Sequence, residues 1–379
     1  MSIARPVSVR GNDAGRVADE LIERLAAPDL ALAVVFAADT LDLGVLASRL
    51  AAGLAPAATV GCSAAGLVGD QAITGDELAA VAIGLSRDVV RVGIGVAPEL
   101  SKSPLVRSRD AVVSAANALG ATPVELDPAR HVAFTLLDPS TGHDDEFCIG
   151  SAAIAPQIRM VGGAAGVVGS QRACLWVNGE VLADAGIIVL LDCSLPFDVV
   201  TSCDMVATNV RTVVTAATGR VIDELDGRPA GPRLHDLVAG LGGTLDDARS
   251  VEYSFARFID GVPYVRTLIG LDGPQIRLAV PVEPGHVLRL MKPGDLVGVT
   301  RRHLADAAQR VGGQIGGLLA FSCIARHWDA RSRGLEAGLA QAYGEHPTIG
   351  FHSLGEQSGM LLVNHTLTAL AIGARPGAR

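Results

Sequence analysis

The chain has 379 residues, 49% hydrophobic and 19% charged, a balance that excludes a mainly disordered polypeptide. A net charge of −9, no long basic run and few aromatics (two Trp, three Tyr, eight Phe) disfavour nucleic-acid binding. The opening MSIARPVSVRGNDAG has no apolar signal segment, and the uncharged stretches 50–69 and 357–374 are interrupted by Pro56 or by Gln357, Asn364 and His365, so neither reads as a membrane span. A cytoplasmic protein is expected.

Residues 1–28 read as an N-terminal segment with a helix at 13–26, capped by Asp13, that places Val17, Leu21 and Leu25 on one face. A first domain spans 29–216. It opens as a β-α-β unit, with strand 30–37 (LALAVVFA), a helix from Asp39 to about 52 and strand 57–61. Strands at 78–84 and 89–96, helix 104–119, strand 131–138, helix 144–156 and strand 158–163 follow, and 172–215 is mostly β. A second domain, 217–373, holds helix 230–240, strands 252–259, 262–270, 275–281 and 286–291, helix 301–311, strand 316–323, helix 331–343 and strands 347–353 and 360–372. Residues 374–379 form a flexible tail. The fold class is mixed α/β: two interlocked domains, each a twisted mixed sheet flanked by helices, with a two-sheet core and outer helices as one arrangement that fits.

Short motifs repeat. AAGLVG at 64–69 is echoed by AAGVVG at 164–169, and TVGCSAAG at 59–66 by TIGFHSLGE at 348–356. In each case an apolar strand runs into a turn of glycine and small residues, near 61, 162 and 350, where glycine lets another backbone or a ligand approach. Either the turns pack duplicated units together or they converge on one pocket.

The ordered set VGCSAAG (60–66), FTLLDPSTGHDDE (134–146), VGGAAG (161–166), VIDELDGRPA (221–230), YVRTLIG (264–270), AFSCIAR (320–326), TIGFHSLGEQ (348–357) and VNHTLTALAIG (363–373) resembles the FIST domain family, which pairs a FIST N-terminal with a FIST C-terminal region. The resemblance implies a sensory module that binds a small ligand such as an amino acid. The GEQ turn at 355–357 is similar to that of NosP-type haem-binding nitric-oxide sensors, although this chain has VNHT at 363–366 where that subset has VNQT, and Leu362 where a histidine is often found. A haem-binding nitric-oxide sensor that regulates a histidine kinase is thus an alternative.

GCSAAG at 61–66 departs from the G-x-S-x-G elbow by one residue, and the glycine loops match no nucleotide-binding pattern. The six cysteines form no CxxC or zinc spacing and are expected to be reduced; a Cys-dependent enzyme using Cys62 or Cys323 is a further alternative. HDDE at 143–146 suits a helix N-terminus. Arg266 and Arg326 lie at apolar strands, where each must pair with a carboxylate, Glu356 being the candidate, or present its guanidinium to a ligand. The expected ligand set is Cys62, Ser63, Gly163, Arg266, Arg326, Ser353, Glu356 and Asn364. His352 and His365 serve only if haem binds, and strand alternation puts His365 with Val363 on one face. No catalytic residue, no metal and no resident cofactor is expected. The partners are a small molecule and a separate signalling protein, with no nucleic acid and no membrane insertion.

Overall fold

The computed structural model describes residues 4–69, 78–166, 172–245, 252–259 and 261–375. The end of the 164–169 repeat and residues 376–379 of the tail lie outside them. The chain is mixed α/β, and its apolar runs fold into three copies of one unit.

The first copy comprises β1 (Ala4–Val9), α1 (Ala14–Leu25), β2 (Leu30–Ala38), α2 (Leu43–Leu54), β3 (Ala58–Ala64), β4 (Leu67–Val68) and β5 (Ala80–Ser86). Asp13 caps α1, accepting from the Arg16 amide at 2.8 Å, and Asp42 rather than Asp39 caps α2 through the Val45 amide at 3.0 Å. The second copy comprises β6 (Val90–Pro98), α3 (Pro104–Ala118), β7 (His131–Leu137), α4 (Asp144–Ala153), β8 (Arg159–Ala164), β9 (Leu175–Val177), β10 (Glu180–Leu182) and β11 (Ala185–Cys193).

The third copy begins with β12 (Phe197–Ser202) and is interrupted by β13 (Val206–Thr218), β14 (Val221–Leu225), β15 (Arg228–Pro229), α5 (Ala230–Ala239), β16 (Ser254–Ile259), β17 (Val262–Asp272), β18 (Gln275–Leu278) and β19 (Val287–Lys292). These strands form a separate sheet, of order β13-β19-β16-β17-β18-β14-β15, with a core of its own against α5. The copy resumes with α6 (Leu296–Arg310), β20 (Ile315–Cys323), α7 (Ile324–Ser332), α8 (Glu336–Gly344), β21 (Thr348–Ser353), β22 (Glu356–Ser358), β23 (Leu361–Val363) and β24 (Leu367–Gly373).

Each copy has the same strand order: β1-β5-β2-β3, β6-β11-β7-β8 and β12-β24-β20-β21. The two inner strands joined by a helical crossover are parallel (β2–β3, β7–β8, β20–β21), and the others run antiparallel. The short strand after each parallel pair joins the sheet of another copy: β4 adds to β21, β9 to β3 and β22 to β8. This cyclic exchange interlocks the three copies.

The inner faces of the three sheets share one core, and the outer faces pack separately beneath α1 and α2, α3 and α4, and α6 and α8. At its centre Phe36, Phe134, Phe321 and Phe351 bring the copies together, with Phe321 centroids 6.2, 6.3 and 5.8 Å from the other three. Gly61, Gly162 and Gly350 occupy the same register, opposite Val35, Thr135 and Ala320 on the parallel neighbour. A Cβ on any of them would overlap that neighbour's carbonyl oxygen, so packing requires glycine there.

Two expected elements are divided. The helix read over 331–343 is α7 and α8, separated at Gly334, whose φ is +67°. The strand read over 360–372 is β23 and β24, broken because His365 has φ +56°, a left-handed conformation that ends side-chain alternation. Among the described residues no helix is long and apolar enough to cross a membrane, and all six cysteines are free thiols.

Candidate functional site

The threefold arrangement brings the three glycine turns together. The amides of Ser63, Ala164 and His352 donate to the carbonyls of Cys174, Gly355 and Gly66 at 2.8, 2.8 and 2.9 Å, equivalent bonds that each reach into another copy. Two further bonds join the tips, from the Gly166 amide to the Ser63 carbonyl (3.1 Å) and from the Leu354 amide to that of Ala164 (3.2 Å). Gly163 lies so close to Ser353 that a Cβ would stand 2.9 Å from the serine's. The turns therefore close on one another by backbone contact. The pocket bordered by Gly163, Ala164 and Gly355 holds only about 10 Å³, room for one water.

Cys62 and Ser63 belong to this packing. Cys62 is fully buried, which pushes its thiol well above the ordinary range, and Ser63 Oγ accepts from the Cys174 amide at 3.0 Å. Burial raises the Cys323 thiol in the same way, with the Glu356 carboxyl beside it adding to the rise. Neither thiol is poised to ionise.

A cluster of buried polar side chains lies in the third copy, where β20 and β21 end beside the break between β23 and β24. Arg326 sits in the first turn of α7 with none of its side chain exposed. Its guanidinium donates to Thr300 Oγ1 of α6 at 2.6 Å and pairs at 3.5 Å with Asp204, in the turn after β12. Asp204, and not Glu356, is its counter-ion. Glu356 is held instead by Ser353 and Thr366, whose hydroxyls donate to its two oxygens at 2.6 and 2.7 Å.

Burial pushes the Glu356 carboxyl up to about 8, against these hydrogen bonds, so it is mostly protonated at neutral pH. Because the folded value lies above the unfolded one, Glu356 contributes stability that is full below its ordinary value of 4.5 and lost as pH rises through about 8. We expect the melting temperature of wild type relative to Glu356→Gln to fall between pH 6 and pH 9; a gap constant over that range in thermal melts would contradict the burial argument.

His352 and His365 are both buried and neutral. Burial lowers His352 to about 3, aided by His327, whose ring stacks on it at 4.4 Å, and lowers His365 to about 4. His365 faces Asp204 and Asp329 rather than an apolar wall, and His352 is packed against Gly66 and the His327 ring. Neither environment fits a haem macrocycle, which needs apolar surface around its axial histidine. Several buried atoms here have no hydrogen-bond partner among the described residues: Arg326 Nε, Asp204 Oδ2, Asp329 Oδ1, Asn364 Oδ1 and the ring nitrogens of His352 and His365.

Of the expected set, Arg326, Ser353, Glu356 and Asn364, with His352 and His365, meet in this region, and Gly163 touches its edge through Ser353. Arg266 does not. It is half-buried on β17 of the inserted sheet, beside Asp145 in the first turn of α4, where HDDE supplies three acidic residues to the helix N-terminus. Sequence reading missed Asp204, Thr300 and Asp329. Asp329 carried a signal, lying three residues after Arg326 and four before Arg333, on one helical face with both.

No curated protein matches the chain. Among solved structures, cyanuric acid hydrolase from A. caulinodans aligns over 98% of this chain and 100% of its own, at 11% identity and a TM-score of 0.40, a likeness too distant to speak to fold or activity. The FIST N domain matches residues 31–228, the copies built on β2 to β11 and the start of the inserted sheet. The FIST C domain matches residues 234–359, through the rest of that sheet to the end of β22, which opens with Glu356. Covering most of the sequence in the order its motifs suggested, these two matches place the chain in the FIST family.

Proposed function

We propose that the chain is a non-enzymatic, cytoplasmic sensory module that binds a small carboxylate-bearing metabolite of amino-acid type in the third copy. It would signal through a separate partner, a histidine kinase or another signalling protein. FIST domains are in general sensory, ligand-binding modules. The observation that carries the finer reading is the gathering of unpaired, buried polar atoms around Arg326, His352 and Asn364. Leaving such groups unsatisfied costs about 1–3 kcal/mol each, so a site rich in them favours a polar guest. Arg326 Nε is a free donor for a ligand carboxylate, and Asn364 Oδ1 a free acceptor for an ammonium. The buried, protonated thiols of Cys62 and Cys323 support a binding role over a Cys-dependent enzyme.

A thermal-shift panel of amino acids and small carboxylic acids tests the reading. One chemical class should raise the melting temperature of wild type and leave folded Asn364→Ala unmoved. A panel without any stabilising compound, or an equal rise in Asn364→Ala, would count against it, and a Soret band in the purified protein would favour haem instead.

A further inference from the structure

Three of the unpaired groups face one another. Asp204 follows β12, Asp329 lies in α7, and His365 sits at the break between β23 and β24, so the final fold alone brings them together. All three side chains are buried, and one donor atom from each lies within 4.8 Å of the other two. Each carboxylate has one oxygen anchored outward, Asp204 Oδ1 by Arg326 at 3.5 Å and Asp329 Oδ2 by Arg333 at 2.8 Å. The remaining oxygens, Asp204 Oδ2 and Asp329 Oδ1, and both nitrogens of His365 have no hydrogen-bond partner among the described residues.

We propose that Asp204, Asp329 and His365 hold a divalent transition-metal ion, zinc or one of its first-row neighbours. Two carboxylate oxygens and one imidazole nitrogen form a mixed donor set suited to such ions, whereas magnesium and calcium prefer oxygen alone. Arginines that fix the outer oxygen of each carboxylate leave the inner one aimed, the support that metal-binding carboxylates commonly receive. The imidazole is neutral and offers a lone pair. Three protein ligands leave a coordination position open, and a ligand carboxylate would fill it; only this last step rests on the small-molecule reading.

The test uses the untagged full chain, stripped with a chelator and titrated with cobalt(II) in the absence of any small molecule. Saturable visible absorption bands of bound cobalt, with one ion per chain and displacement by zinc, are expected. The same bands should be lost in Asp329→Asn and in His365→Asn, chosen because asparagine tolerates the left-handed backbone at 365. Zinc competition on wild type needs no variant, so a variant that misfolds does not remove the test. No saturable spectrum, the result expected if a trapped water satisfies these atoms, would overturn the assignment, as would bands unchanged in both folded variants. Cobalt binding without any stabilising metabolite would support the metal and count against the ligand reading; stabilising metabolites without cobalt binding would do the reverse.

Discussion

Replacing Arg326 with alanine is expected to lower stability by about 3–5 kcal/mol, the usual result of leaving a buried charge without its partner. The guanidinium is fully buried, pairs with a fully buried Asp204 and donates to Thr300, and no solvent reaches the pair to take over. The loss is therefore larger than for the exposed pairs elsewhere, such as Arg49 with Asp19, where water compensates. Adding Asp204→Asn to Arg326→Ala should recover part of the loss, because the stranded charge is then gone. Urea unfolding of the single and double variants measures both quantities. An Arg326→Ala protein as stable as wild type would mean that the pair is not the buried contact described.

Phe321→Ala is expected to cost about 3–5 kcal/mol, the range for emptying a large aromatic from a core. The ring is fully buried and meets Phe36 of the first copy, Phe134 of the second and Phe351 of its own. Because that contact joins all three copies, the loss should move the unfolding of the whole threefold body. Calorimetry distinguishes the cases: the account predicts that the main transition shifts as one. A shift confined to a minor transition, with the rest unmoved, would show that the copies melt independently.

Much of the fold was legible because strand and helix periods are local. The run LALAVVFA became β2, the alternation of Val90, Val92, Ile94 and Val96 became β6, and Asp13 capped α1 as its position suggested. The recurring strand-to-glycine turns at 61, 162 and 350 marked equivalent positions of the three copies. What hid the threefold plan was the exchange of β4, β9 and β22, since hydrogen-bond register between distant segments leaves little trace in composition. The AAGLVG and AAGVVG echo was also offset: the equivalent bonds match Ser63 with Ala164, so Ala64 corresponds to Ala165.

The candidate site was legible only in part. Arg326 and Glu356 stood out because a charge beside an apolar strand demands a partner, but the sequence could not say which. Asp204 is separated from Arg326 by the entire inserted sheet, and spacing rules that read ligands along one helix cannot join such residues. His365 was assigned by strand alternation to the face of Val363; its left-handed backbone turns it toward Asp204 and Asp329 instead. A positive φ at a histidine depends on tertiary packing, and no local pattern announces it.

The most direct test of the central claim, that the polar chemistry of the third copy is the binding site, is hydrogen–deuterium exchange on the full chain with and without a stabilising metabolite. Ligand should slow exchange at 322–330, 352–357 and 363–366, while 37–45 and 137–145, the counterparts of 322–330 in the first two copies, stay unchanged. Protection confined to the first two copies or to the inserted sheet, with the third copy unmoved, would contradict it.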